Sequence, residues 1–352
     1  MWQSNPLTER LKLKYPIMLA PMGRITTPAL AAAVGNAGGL GGIGMWGLTA
    51  DEATRRIAGF RQLSPGSLNV NYPLWPEPRY TDESSEAMRR HLQAHYDALG
   101  LGPVPPARGV VSDVSPEHLT MLLEQKPEVV SFHFGLPDQK VVDAIKSAGI
   151  FIQSSATTVA EARILERRGV DAVIAQGSEA GGHRGTFTGV DIGMQAGLFS
   201  LLPQVVDAVG VPVIAAGGIA DGRTAAAAFM LGASAVQVGT AFMRCAEANM
   251  FDAHRAALAE ADDSCTLITD LISGRPARYI RNKLVDDLVA SGLKPLPIPA
   301  QLSLTYPLGA AGDRDFAVLL SGQSAALAKD THAAELVERL VEEIGRRLRA
   351  FA

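Results

Sequence analysis

Cysteine is nearly absent: Cys245 and Cys265 are the only two in 352 residues, and they fall in no metal-ligand spacing. No disulfide framework can be built from them, and a reducing cytoplasm is the expected location. Charge is sparse too, with 19% Asp, Glu, Lys and Arg, a net charge of -4 and a pI near 6.0. Such a chain offers nucleic acid no basic footprint. The amino terminus, Met1-Trp2-Gln3-Ser4-Asn5-Pro6, has no basic segment leading into an apolar run, so no secretory signal is expected. The uncharged stretch Ile25 to Leu48 is long enough to span a membrane but carries Pro28, Asn36 and seven glycines. It reads as a helix followed by a strand, and no membrane partner is expected. No two histidines and a carboxylate have metal-ligand spacing, so no metal is predicted. No Gly-x-Gly-x-x-Gly turn opens a helix after an apolar run, which leaves no dedicated dinucleotide fold in view.

What the chain has is apolar residues, 47% of the total, enough for a sizeable core. Eight strand-like runs recur with helical segments between them: Ile17 to Ala20, Leu40 to Ile43, Leu68 to Tyr72, Val129 to Phe134, Ile150 to Ser154, Ala172 to Ala175, Val213 to Ala216 and Ala235 to Val238. Eight β/α units predict an α/β fold, a TIM (β/α)8 barrel. The long gap between the third and fourth runs reads as an elaborated crossover with helices near Ser84 to Leu99 and Pro116 to Gln125. After the eighth run the periodicity changes, which predicts a smaller, mainly helical substrate-covering domain over 242–312. The barrel then takes 1–241 and 313–352, and the amphipathic stretch Ala333 to Ala350 is its last helix.

The chemistry is expected at the carboxyl ends of the strands. The sixth run stops at Gln176 and enters a glycine-rich loop, Gly177, Gly181, Gly182 and Gly185, that holds one histidine, His183. Bare backbone suits close approach of a planar or phosphorylated ligand, and His183 is the group there able to take a proton near neutrality. The alternative is a surface loop whose glycines only turn the chain. Gly217 and Gly218 follow the seventh run, and Gln237, Gly239 and Thr240 end the eighth, the two places where a barrel holds a phosphate. Ala20 and Met22 close the first strand, and Asn71 the third; Asn71 and Gln176 each offer amide donors and acceptors to a heterocycle edge. Asn69 shares the parity of Asn71, so alternation alone does not choose between them. His133, between two phenylalanines, is either a second base or a satisfied structural group. His91, His95, His118, His254 and His332 read as surface residues.

With those residues laid out, the chain resembles the nitronate monooxygenases, once called 2-nitropropane dioxygenases, and most their class I branch. The resemblance covers nearly the whole length. It rests on Ala20-Pro21-Met22, Asn36 to Gly41, Val70-Asn71, Ser131 to Gly135, Gln176 to Gly185, Ala216-Gly217-Gly218, Gln237 to Thr240, Ser273 to Arg278 and Gly322-Gln323. It implies non-covalent FMN held by Ala20, Met22, Asn71, Gln176, Gly181, Gly182, Gly217, Gly218, Gln237, Gly239 and Thr240. His183 is implied as the catalytic base, with His133, Arg24 and Tyr306 lining the substrate pocket. The implied reaction oxidises alkyl nitronates such as propionate 3-nitronate with O2 to a carbonyl compound and nitrite, by one-electron transfer to flavin, in a monomer or homodimer. Two departures, Gly23-Arg24 after Met22 and the stretch Leu308 to Gly312, fall where substrate choice is set. The anion needs positive charge from Arg24, Arg184 or protonated His183, whereas a neutral nitroalkane needs His183 neutral. The rival readings are an FMN-dependent NAD(P)H reductase of enoyl thioesters or quinones, and a flavin- or phosphate-binding protein without turnover.

Overall fold

The computed structural model describes residues 2–109, 111–189 and 191–350. Its strands, in chain order, are β1 (Ile17–Leu19), β2 (Gly41–Gly44), β3 (Leu68–Pro73), β4 (Val129–His133), β5 (Phe151–Ala156), β6 (Ala172–Gln176), β7 (Gly182–His183), β8 (Val213–Ala216), β9 (Ala235–Val238), β10 (Thr266–Thr269) and β11 (Ala277–Ile280). All but β7, β10 and β11 form one parallel sheet, in which β1 pairs with β9. The last gap is bridged between Met18 and Leu40, where Leu19 N–H donates to Leu40 O at 3.0 Å and Leu40 N–H to Ile17 O at 2.9 Å. The result is a TIM barrel whose eight strands are the eight apolar runs of the sequence, their ends moved by a residue or two.

Period-two alternation sorts each strand into an inner and an outer face. Met18, Val129, Phe151, Ala172, Ile214 and Ala235 meet inside the barrel, closed below by Leu7 and Leu11 of the helix Pro6–Leu11. Val70, Val130, Ile152, Val173, Val213 and Val236 pack outward against the helices. Asn69 and Asn71, opposite Leu68, Val70 and Tyr72 of the outer face, therefore both point inward. Helix starts follow their caps: Thr158 Oγ1 accepts from Glu161 N–H, and Asp221 accepts from Arg223 and Thr224 N–H. The helix Ala333–Arg349 returns to the barrel and packs on Gly222–Met230 and Pro28–Asn36, as its apolar stripe requires.

A second core lies beside the barrel. Met88, Leu92 and Tyr96 of the crossover helix Asp82–Ala98 meet Leu284 and Leu288 of Lys283–Ser291 and Leu304 and Leu308 of Ala300–Ala310. Tyr96 O–H donates to Leu304 O at 2.8 Å, which ties the two distant segments together. A small antiparallel sheet in the order β10-β11-β7 joins this region to the histidine loop. One surface assignment is corrected: His254 is buried, with Nε2 2.9 Å from Leu320 O, because the segment carrying Leu320, bridged to Tyr279, lies against the helix Asp252–Ala259. His91, His95 and His118 are half-buried. Among the described residues, no helix is long and apolar enough to cross a membrane.

Candidate active site

The site is built on the loop from Gln176 to Gly185. Gln176 ends β6 facing inward, and its side chain spans the loop it opens: Nε2 donates to His183 O at 3.0 Å and Oε1 accepts from Gly185 N–H at 2.8 Å. Its amide therefore braces the loop. Glu179 caps a neighbour, both its oxygens 2.8 Å from Leu198 N at the start of Leu198–Val206, a helix with no cap of its own. A carboxylate at a helix amino end gains from the helix dipole as well as from the hydrogen bond. Thus the polar residues of this loop act first on its shape.

His183 sits on β7, which pairs with β11, so its imidazole is held by a sheet and not by a free loop. Its Nε2 lies 2.9 Å from Ser273 Oγ. Ser273 Oγ also lies 3.0 Å from Arg275 O and 2.8 Å from Tyr279 O–H. A hydroxyl has one proton, and the Arg275 carbonyl can only accept it. Tyr279 and His183 Nε2 must then both donate to Ser273, and His183 is neutral with its lone pair on Nδ1. Burial, with smaller contributions from His133 and Arg275, pushes its pKa down to about 3. This imidazole is neutral at pH 7, with Nδ1 unprotonated.

His133 is the reverse case. Nε2 lies 3.0 Å from His183 O, an acceptor, and Nδ1 3.0 Å from Ser155 Oγ. Both nitrogens are used by the protein, burial holds the pKa at about 4, and the ring buttresses the base loop. Phe134 beside it takes φ 72°, a left-handed conformation unusual for a side chain of this bulk. That turn places its ring 6.0 Å from His183, edge to face, and 3.9 Å below the guanidinium of Arg275.

The arginines separate. Arg184 is fully buried and spends its donors on Gln195 Oε1, Gly177 O and Gln176 O, as a strut under the loop. Arg24 is exposed on the loop after β1. Arg275, to which the sequence alone assigns no role, lies over the Phe134 ring that meets His183 edge to face. Tyr306 is half-buried on the helix Ala300–Ala310. Ser273, Tyr279 and Arg275 went unnoticed as site residues because their loop is remote in sequence from His183. The available signal was the pair of arginines in Ser273 to Arg278, placed between apolar neighbours.

At the ends of β8 and β9 the glycines converge. Gly217 and Gly218 have φ of 112° and 69°, closed to most side chains. A Cβ on Gly181 would overlap the Gly322 nitrogen, and one on Gly322 would lie 3.1 Å from Gly181 N and 3.3 Å from Thr240 Oγ1. Gly322 N–H donates to Thr240 Oγ1 at 3.0 Å and Ser324 O–H to Gly218 O at 3.0 Å. A Cβ on Gly239 would touch Ala20 and the Met22 sulfur, at 3.5 and 3.6 Å. Ala20, Met22, Gly181, Gly217, Gly218, Gly239 and Thr240 are thus brought to one end of the barrel, with Gly182 adjoining the base. Asn71 Nδ2 donates to Ser131 O and Oγ, and Gln237 Oε1 is buried without a partner.

A family model described as nitronate monooxygenase matches residues 4–343. A nitronate monooxygenase of Pseudomonas aeruginosa is 41% identical over 97% of this chain and 99% of its own length. One from Paraburkholderia phytofirmans is 40% identical over 97% and 96%. Among solved structures, the nitroalkane oxidase of Streptomyces ansochromogenes superposes with a TM-score of 0.90 at 36% identity, covering 99% of this chain and all of that one. FabK from Thermotoga maritima gives 0.78 at 29% identity, over 99% of each chain. The chain belongs to the nitronate monooxygenase family, a group of flavin-dependent oxidoreductases.

Proposed function

We propose that this enzyme oxidises alkyl nitronates, propionate 3-nitronate among them, with O2 to a carbonyl compound and nitrite, using FMN. The observation that carries the reading is a neutral His183 held through Nε2 by Ser273, which leaves Nδ1 unprotonated and able to take the proton of a small acid. The residues fit FMN: Gln237 Oε1 is a buried acceptor awaiting a donor, and Gly217, Gly218, Gly239 and Thr240 leave backbone at the two strand ends where barrels hold phosphate. Asn71, Gly181 and Gly182, Ala20 and Met22 are proposed as further contacts, with the unit over 242–312 covering the substrate. When bound, the flavin accepts the electron that a nitronate gives up.

With a neutral nitroalkane, Nδ1 of His183 takes the α-proton while Nε2 stays bonded to Ser273, so the ring becomes cationic next to the anion it has made. With a preformed nitronate this step is not needed. Replacing His183 by Asn should then lower oxidation of neutral nitroalkanes by about 10² to 10⁴ and that of preformed nitronate much less. Oxygen uptake on the flavin-loaded protein checks this, and equal losses for both substrates would remove the base role. The likeness to FabK keeps a nicotinamide-dependent reductase as the second reading. Anaerobic stopped-flow separates them: nitronate should bleach the flavin band quickly and NADH or NADPH slowly, and the opposite order would replace the first reading by the second.

A further inference from the structure

Arg275 belongs to the same turn as Ser273, the partner of the base. One face of its guanidinium rests on Phe134, and Nη2 donates to Thr186 O. Nε is buried without a partner. The carboxylate that acts on it electrostatically, Glu161, already accepts from Thr157, Thr186, Phe187 and Thr188. Burial lowers the pKa of Arg275 to about 10, which leaves it charged at neutrality. A largely desolvated cation with an unused donor, whose acting carboxylate is already committed to other donors, is unfavourable unless something anionic visits it.

The space for such a visitor is present. Arg275 lines a cavity of about 500 Å³ together with Trp75, Glu77, Arg79, Pro297 and Ile298. Glu77 and Arg79 are exposed at the rim and oppose each other in sign, so the charge of the wall comes from Arg275. Trp75, Phe134 and Ile298 form an apolar cluster behind it. A short alkyl nitronate leaves much of this room empty, and a guanidinium is the side chain best matched to a carboxylate.

We propose that Arg275 is a specificity-determining residue, and that this cavity is a subsite for the carboxylate of a substrate whose reacting carbon lies at His183. The assignment rests on the nitronate reading given above. Propionate 3-nitronate and propyl-1-nitronate have the same carbon count and differ by a carboxylate in place of a methyl, so they isolate the subsite. In flavin-loaded Arg275→Gln, KM for propionate 3-nitronate should rise at least about 10-fold, since hydrogen bonds to charged groups contribute that much or more. KM for propyl-1-nitronate should stay within about 2-fold, and Arg275→Lys should recover part of the loss. A parallel rise for both substrates would overturn the assignment. A titration with propionate, read by tryptophan emission because Trp75 lines the cavity, is independent of turnover. Weaker propionate binding in Arg275→Gln upholds the subsite even if the wild-type protein oxidises no nitronate, in which case only the nitronate reading falls. Propionate binding unchanged by the substitution overturns the subsite even if nitronates are oxidised.

Discussion

A single hydroxyl decides what His183 can do. Ser273 spends its one proton on the Arg275 carbonyl, and this obliges His183 to donate through Nε2 and leaves Nδ1 unprotonated. Ser273→Ala should therefore lower kcat/KM for neutral nitroalkanes by about 10-fold or more with flavin still bound, while preformed nitronate is affected less. The same change strands the Tyr279 hydroxyl, which is buried and has Ser273 as its partner, at a cost of about 1–3 kcal/mol. The double variant with Tyr279→Phe should then regain stability without regaining rate; thermal melting and oxygen uptake on the three proteins test this, and a rescued rate would mean Ser273 acts only on the fold. His183 was legible from its loop in the sequence. Which nitrogen is basic was not, because the deciding groups lie some ninety positions away. Nor did the sequence distinguish Arg184, adjacent in the chain but turned into the core, from Arg275, remote in the chain and beside the base.

At the scale of elements, the base loop is strapped from both ends, by the Gln176 amide and by Glu161 of the helix Val159–Arg167. Glu161 is fully buried; burial alone would raise its pKa, yet bonds from Thr186, Thr157 and Phe187 outweigh that and hold it low. It stays a carboxylate and ties residues 186–188 to the helix start. Glu161→Gln presents an N–H₂ group to donors and should lower unfolding stability by about 2–4 kcal/mol, as one or two charge-assisted bonds are lost. Chemical denaturation measures it, and a change under about 0.5 kcal/mol would show that the strap is not what holds the loop. The barrel strands were readable because each is a short apolar run between turn residues. β7, β10 and β11 were not: β7 has two residues, β10 is half-buried and β11, though buried, carries Arg278, and all three exist through pairing with distant partners.

Several imidazoles of the molecule have their pKa lowered by burial, and these shape its response to acid. His254, distant in role from the site, has its pKa pushed down to about 4 by burial, partly offset by its bond to Leu320 O. The unfolded chain protonates this group below about 6.5 and the folded one only below about 4, so acid favours unfolding between those values. The thermal midpoint should fall as pH drops from 7 to 5, and His254→Gln, which keeps an N–H for Leu320, should flatten that fall by about one proton's worth of slope. An identical slope in the variant would place the acid sensitivity elsewhere. The sequence by itself determined the barrel and the glycine turns at its strand ends, because periodicity and local turn chemistry are short-range properties of the chain. Tertiary structure alone decided that Asp82–Ala98 shares a core with 272–316, that His133 is spent on Ser155 and the His183 carbonyl, that Arg184 is turned into the core, and that Arg275 lies over Phe134. Those outcomes depend on which distant segments bury their surface together, and spacing along one chain does not encode that pairing.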